Sequence, residues 1–482
     1  MTSSVYLNPL ILIPFVILLT VINKLIPQKY RWILLLIISY GFYFLLAKWS
    51  ILLLIISTLF NYGLSHVLYT RKGKNKLPLI AGISLNVLIL VFFKCFAQLI
   101  SPNAPFFSLL NSTEGKIIFP VGLSFYTLQN ISYLVDTSKG LLAPEKNLGI
   151  FAVYVAFFPK ILAGPIERGK KLLPQLAAPE NITSEDIHTG TRLILFGLFK
   201  KLVIADRLLV FVNELFTHPG EYQGAILLAG IFFLSFQIYL DFSGYTNIAL
   251  GIAKLLGINL TENFNRPYFS NNIVEFWNRW HISFSSWLRD YIFYPTRRFF
   301  LKKTGKSLGF FSLVVPPVLA MLLSGLWHGS GWTFVVWGMY HAFFYTLVIL
   351  RKNKSMQSEQ KPRLVIQIIN ILVNFIVLSI GWVFFKADSI NTALIIFKNI
   401  FVRKIDLMML LDNTSHFDFI LALILLTAVI TFECYAEVHP KTYEFKKLPY
   451  LIRWSIYLVM VLCISLFGIF QSGGNPFIYG LF

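Results

Sequence analysis

Two histidines carry the clearest chemical suggestion in this chain. His328 lies in "LSGLWHGSGWTF" (323–334), among three glycines and two tryptophans, with long apolar runs on both sides. His281 lies in "EFWNRWHISFSSWLRDYIFYP" (275–295), a segment too polar to cross a membrane. Histidine is the side chain whose proton affinity suits base catalysis near neutral pH. Ionisable groups at membrane depth are costly and by default mark function. Each histidine also has an ordinary reading, His281 as an interfacial side chain bonded to a carbonyl and His328 as a polar helix-packing residue. Gly325, Gly329 and Gly331 allow close approach of a ligand or of a neighbouring helix. A third polar set, Gln237, Tyr239, Asp241, Ser243, Tyr245 and Asn247, interrupts an otherwise apolar stretch. An aspartate at a span centre costs about 2.5–3.5 kcal/mol on insertion scales. Asp241 is therefore expected to be paired or protonated, either knitting helices together or tuning the site.

Other chemistries lack their residues. There is no Walker loop and no HExxH, and "GLSFY" (122–126) lacks the last glycine of a nucleophile elbow. Cys95, Cys434 and Cys463 lie in or near apolar runs without metal-ligand spacing, so neither a metal nor a disulfide framework is expected.

The elements that must hold these residues follow from composition. The 482 residues are 56% hydrophobic and 13% charged, with mean hydropathy +0.68; soluble domains average about 25% charged. Apolar stretches near 20 residues recur along the chain, each long enough to cross about 30 Å of hydrocarbon as a helix. They are continuous, not alternating, which selects helices over a barrel. Roughly 11 to 13 spans are expected, among them 117–136, 148–163 and 190–213. Pro316–Pro317 interrupts one span, as is tolerated where backbone is buried in protein or lines a cavity. "MTSSVYLNP" has no basic n-region or cleavage site, so Leu10–Ile26 reads as a retained span.

The net charge is +20, concentrated in short loops: "RKGKNK" (71–76), "RRFFLKK" (297–303), and Arg351, Lys352, Lys354, Lys361 and Arg363. This marks the cytoplasmic face and puts the nearly uncharged 101–115 loop and the N-terminus outside. No nucleic-acid partner is expected. Without repeats or low-complexity linkers, the chain reads as one integral domain over 1–482. The segment 271–295 reads as an amphipathic helix ended by Pro295 on the cytoplasmic side. Trp277, Trp280, His281, Phe284, Trp287, Leu288 and Tyr291 share its apolar face. Glu275, Asn278, Arg279, Ser286, Arg289 and Asp290 share the polar one.

The sequence resembles the membrane-bound O-acyltransferase family, in the bacterial branch that contains the membrane subunit of alginate O-acetylation. "FPVGLSFYTLQNISYLVD" (119–136), "FPKILAGPIERG" (158–169), "QIYLDFSGYTNIALGIAKLLGINLTENFNRPY" (237–268), "EFWNRWHISFSSWLRDYIFYP" (275–295) and "LSGLWHGSGWTFVVWGMYHA" (323–342) carry the resemblance, with a weaker match at "NPFIYGLF" (475–482). The motif-bearing core is thus about 119–342. The resemblance implies an all-α, polytopic membrane bundle with a central tunnel lined by His328 and His281. It implies transfer of an acetyl or D-alanyl group from a cytoplasmic thioester, such as acetyl-CoA, to an extracytoplasmic polysaccharide, peptidoglycan or teichoic acid. No bound cofactor is implied, but an exported or periplasmic acetyltransferase partner is, along with a bacterial inner-membrane location. One stretch departs: after "DYIFYP" many alginate relatives have a glycine-rich run, and this chain has "TRRFFLKKTGKS".

On this reading His328 takes the proton of an acceptor hydroxyl as it attacks the thioester, sheltered from water that would waste the donor. Trp327 and Trp332 shape and dry the pocket. His281 positions the donor or stabilises the carbonyl oxygen as charge develops. Trp280, Arg289 and Asp241 are supporting candidates, and the basic cluster at 297–306 attracts the donor's phosphates. The competing class is a transporter or flippase, which has no need of paired histidines.

Overall fold

The computed structural model describes residues 8–71, 75–96, 120–304, 309–354, 363–402, 414–439 and 448–470. The 101–115 loop, Lys306, Lys361 and the "NPFIYGLF" end lie outside these residues. All regular elements among those described are helices. Eight segments are long and apolar enough to cross a membrane: Gln28–Thr70, Leu77–Cys95, Ala225–Leu255, Phe310–His328, Trp332–Arg351, Leu364–Lys386, His416–Val438 and Tyr450–Phe467. The protein is a polytopic, multi-pass membrane helical bundle. Its large apolar side chains face outward as well as inward: Leu10 is 84% exposed and Leu364 70%, the arrangement a lipid solvent allows.

The described residues divide into two compact units. The first comprises the described residues up to Leu198, together with Tyr245–Glu262 and Phe470. It holds α1 (Pro9–Leu25), α2 (Arg31–Ala47), α3 (Ile51–Thr70), α4 (Leu77–Val91), α5 (Leu123–Ser138), α6 (Leu148–Ala156), α7 (Gly169–Ala177) and α8 (Ser184–Leu198). The helices α5 and α6 cover two expected spans, but α6 has nine residues and α5 is polar and almost wholly buried. Interhelical amide pairs replace the apolar attraction that lipid removes. Asn61 and Asn86 exchange side-chain hydrogen bonds at 2.9 and 3.3 Å. Asn130 donates to Ser57 Oγ at 3.2 Å, and buried Lys160 donates to Gln129 Oε1 at 2.5 Å.

The second unit comprises Phe199–Gly244 and Asn263–Ile469. It contains a π-helical turn (Phe199–Ala205), α9 (Asp206–Thr217), the first part of α10 (Ala225–Leu255), α11 (Ile273–Arg279), α12 (Ile282–Leu288), α13 (Tyr294–Thr304), α14 (Phe310–His328), α15 (Trp332–Lys354), α16 (Leu364–Lys386), α17 (Ile390–Ile400), α18 (His416–Val438) and α19 (Tyr450–Phe467). Helices α14 and α15 form a tight antiparallel hairpin. A Cβ on Gly325 would lie 2.2 Å from the Phe334 carbonyl oxygen, and one on Gly338 would lie 2.6 Å from that of Met321. These glycines are there for backbone-to-backbone packing. Pro316 and Pro317 stay inside α14 without ending it, both buried.

The expected single helix over 271–295 is broken. Helix α11 stops at Arg279, Trp280 is extended, and His281 takes a left-handed conformation (φ 41°, ψ 53°) before α12 begins. Asn263 holds this corner: its carbonyl accepts from Ile282 N at 2.9 Å and its side-chain oxygen from Ser283 N at 3.1 Å. Ser285 Oγ donates back to the Trp280 carbonyl at 2.9 Å. Two orphan donors at the start of α12 are thereby satisfied. Pro295 does not end a helix either: α12 continues through a π-helical turn (Arg289–Phe293) directly into α13, and Pro295 lies just past that junction, inside continuous helix. The apolar face survives the break, with Trp277, Trp280, His281, Phe284, Trp287 and Leu288 all buried. The polar face is ion-paired within the protein: Arg279 binds Glu275 at 2.6 Å and Glu437 at 2.9 Å, and Arg266 binds Glu437 at 2.8 Å.

Candidate active site

The second unit brings His281 and His328 to the same aromatic pair. Phe284 and Trp327 stack at 4.4 Å between ring centroids. The His281 ring lies 5.1 Å from Phe284 and 6.1 Å from Trp327. The His328 ring lies 5.8 Å from Phe284 and 4.8 Å from Trp327. Both histidines are buried, at 1% and 2% exposure. His328 is the last residue of α14, and Trp337 and Phe385 close its remaining sides at 5.3 and 5.1 Å. His281 is also packed against Phe242, at 4.7 Å. Burial holds the His281 imidazole neutral, with its pKa pushed down to about 3.

The supporting candidates scatter. Trp327 lies at the site; Trp332 does not, being 74% exposed at the start of α15. Trp337, one and a half turns further along that helix, takes the wall position instead. Trp280 stands behind the site, stacked on Phe276 at 5.3 Å and packed on Trp382 at 4.9 Å. Asp241 is one residue from Phe242 but pairs elsewhere: Lys201 Nζ lies 2.6 Å from Asp241 Oδ1 and 2.8 Å from Asp206 Oδ1. Two other polar residues of α10 are likewise bonded into the scaffold, whereas buried Gln237 has no hydrogen-bond partner for its side-chain amide among the described residues. Tyr239 donates to Glu433 at 2.6 Å, and Tyr245 to the Pro159 carbonyl at 3.1 Å.

Arg289 lies on a cavity of about 280 Å³ that also meets Asn278, Arg297, Trp277, Met321 and Tyr345. Arg297 Nε is buried without a hydrogen-bond partner among the described residues. Two guanidinium groups at one cavity make a site for phosphate or carboxylate. At 1.5 Å per residue the inner edge, Met321, is only about 10 Å along α14 from His328. The wall between is Trp277, whose ring touches Trp337 at 5.9 Å. Sequence reasoning missed Asn263, Trp337 and a third buried histidine, His341. The last was visible in "WGMYHA" as an ionisable group in an apolar helix.

Residues 35–387 match the model of the membrane-bound O-acyltransferase family. The chain belongs to the membrane-bound O-acyltransferase family. It is 32% identical over 376 residues to the probable alginate O-acetylase AlgI of Pseudomonas aeruginosa, covering 76% of this chain and 69% of that one. It is 31% identical over 410 residues to a peptidoglycan O-acetyltransferase of Helicobacter pylori, covering 78% and 74%. It is 28% identical over 293 residues to a teichoic acid D-alanyltransferase of Bacillus subtilis, covering 58% and 70%. This membrane-bound O-acyltransferase is therefore an enzyme that moves acyl groups to oxygen, and the transporter reading falls away.

The left-handed backbone at His281 dictates how its role is tested in such an acyltransferase. Alanine there loses the imidazole and also strains the corner, whereas asparagine tolerates positive φ. His281→Asn is expected to fold at near-normal yield and lose most acyl transfer, and His281→Ala to lose both. Normal transfer by folded His281→Asn would remove the imidazole from the reaction. The pH dependence has a defined sign. The unfolded imidazole protonates near 6.5 and the folded one near 3, so the unfolded chain binds more protons between them. The stability that His281 contributes is full above 6.5 and is lost as pH falls toward 3.

Proposed function

We propose that the protein takes an acetyl group from a cytoplasmic thioester, acetyl-CoA or a relative of it, and passes it across a bacterial inner membrane for O-acetylation of an alginate-like polysaccharide. The observation that carries this is the pair of buried histidines on one Phe284–Trp327 stack, in the same unit as an arginine-lined cavity. The cavity adjoins α13 and its basic residues, the cytoplasmic side by charge. Helix α14 rises about 28 Å from Phe310, so His328 stands toward the opposite face.

In the reaction the acceptor hydroxyl oxygen attacks the thioester carbon while His328 takes its proton. The tetrahedral intermediate collapses, the C–S bond breaks, and the proton passes to the departing sulfur, giving an ester and a thiol. His281, neutral and buried, offers an N–H to the carbonyl oxygen as it becomes negative. An exported or periplasmic acetyltransferase partner, implied by the resemblance, would receive the acetyl group ahead of the polysaccharide. Peptidoglycan is the second reading for the acceptor, favoured by the near-equal identity to the Helicobacter pylori enzyme.

The test uses the protein in sealed vesicles of known orientation with labelled acetyl-CoA on one side. Label is expected on the opposite side only when the donor faces Arg297; transfer confined to the donor's side would defeat the cross-membrane reading. In the same assay Arg297→Ala is expected to raise the KM for acetyl-CoA about tenfold or more, as loss of a charged hydrogen bond does, with kcat nearly unchanged.

A further inference from the structure

His341 sits at the centre of a tryptophan cage in the second unit. Its ring lies 4.7 Å from Trp337, 5.3 Å from Trp277 and 6.3 Å from Trp382. All four side chains are buried, His341 completely. Neither nitrogen of His341, nor the indole N–H of Trp277, Trp337 or Trp382, has a hydrogen-bond partner among the described residues. One buried polar atom in that state is costly, and five in one cluster demand a purpose. The cage is rich in donors, with three indole N–H groups and one imidazole N–H against a single imidazole acceptor. Such a set suits a ligand carrying carbonyl oxygens. Its placement is equally specific: Trp277 lines the arginine cavity on one side, and Trp337 touches His328 on the other.

We infer that His341 and the indole N–H groups around it form a binding subsite for the amide-bearing arm of the thioester donor, between the arginine cavity and His328. The inference rests on the donor reading above in one respect, that the acyl group arrives as a thioester from that cavity. The arm's amide carbonyls accept from the indoles, and its amide N–H donates to the imidazole. No bond is made or broken there, so His341 is a binding residue and not the base. Gly381 belongs to the same design, because a Cβ there would lie 2.8 Å from His341 Nε2.

The experiment compares two donors in the full-length protein: acetyl-CoA, and S-acetyl-N-acetylcysteamine, which keeps the thioester and one amide but has no phosphate. His341→Phe is expected to raise KM about tenfold for both, the cost of leaving a buried hydrogen bond unmade, with kcat changed much less. His341→Gln should recover part of the loss. Trp337→Phe, which keeps a ring and removes an N–H, should raise KM for both severalfold, and Gly381→Ala should do the same by displacing the imidazole. Arg297→Ala should affect acetyl-CoA alone. An unchanged KM for both donors in folded His341→Phe and Trp337→Phe would overturn the subsite. So would a fall in kcat alone. If the wild-type protein turns over neither donor, the donor reading fails separately. Binding then decides the subsite: quenching of tryptophan fluorescence by the short thioester supports it if lost in His341→Phe, and its absence in the wild type overturns it.

Discussion

His328→Ala is expected to lose acyl transfer by 100- to 10,000-fold, about 3–5 kcal/mol of barrier, the usual share of general-base catalysis. On the proposed reading the loss falls on kcat, since the imidazole would act on the acceptor proton while the arginine-lined cavity proposed for the donor is formed by other residues. Folding should survive, because Trp327, Trp337, Phe284 and Phe385 still pack around the truncated position. The measurement is single-turnover transfer from labelled acetyl-CoA by protein that elutes as a single species. Transfer near the wild-type rate would end the case for His328 as the base.

The largest effect on folding is expected at Lys201, a residue remote in sequence from either histidine. Its ammonium sits between Asp206 and Asp241, with all three side chains 6% exposed or less. Lys201→Met removes the cation and leaves two carboxylates facing each other in a dry interior. Breaking a buried pair in this way costs about 3–5 kcal/mol. The expected result is a collapse in the yield of folded protein, read by fluorescence-detected chromatography after mild heating. Asp241→Asn is milder, because the Lys201–Asp206 pair survives it. Transfer should then track yield, with an unaltered pH profile. A shifted profile at normal yield would move Asp241 from scaffold to reaction.

What was legible in the sequence, and what was not, divides along the range of the interactions involved. The helical membrane architecture follows from run length alone, and both histidines stand out because an imidazole in apolar surroundings needs a reason. The need for Asp241 to be paired was readable; its partner was not, since Lys201 lies on a different helix. The break at His281 was hidden for the same cause. Nothing in "NRWHIS" is a glycine or proline, and the corner is imposed by Asn263 from a loop well upstream. A helical wheel cannot register that. Proximity in sequence to His328 pointed to Trp332, whereas the pairing of α14 with α15 delivers Trp337. His341 was overlooked because a lone histidine in an apolar helix is usually a satisfied packing residue; only the cage of unpaired indoles around it makes it unusual.

The glycine contacts between α14 and α15 bear on a demand that catalysis does not state. On the proposed reading the enzyme passes a group through a bilayer and must not become a leak, for each elementary charge crossing 100 mV releases about 2.3 kcal/mol. Gly325 and Gly338 bring the two helix backbones against each other with no room for a methyl group, let alone a file of water. That seam is electrical insulation. His328 stands at one end of a closed seam, so a reaction there can run beside the cell's ion gradients without draining them through this hairpin.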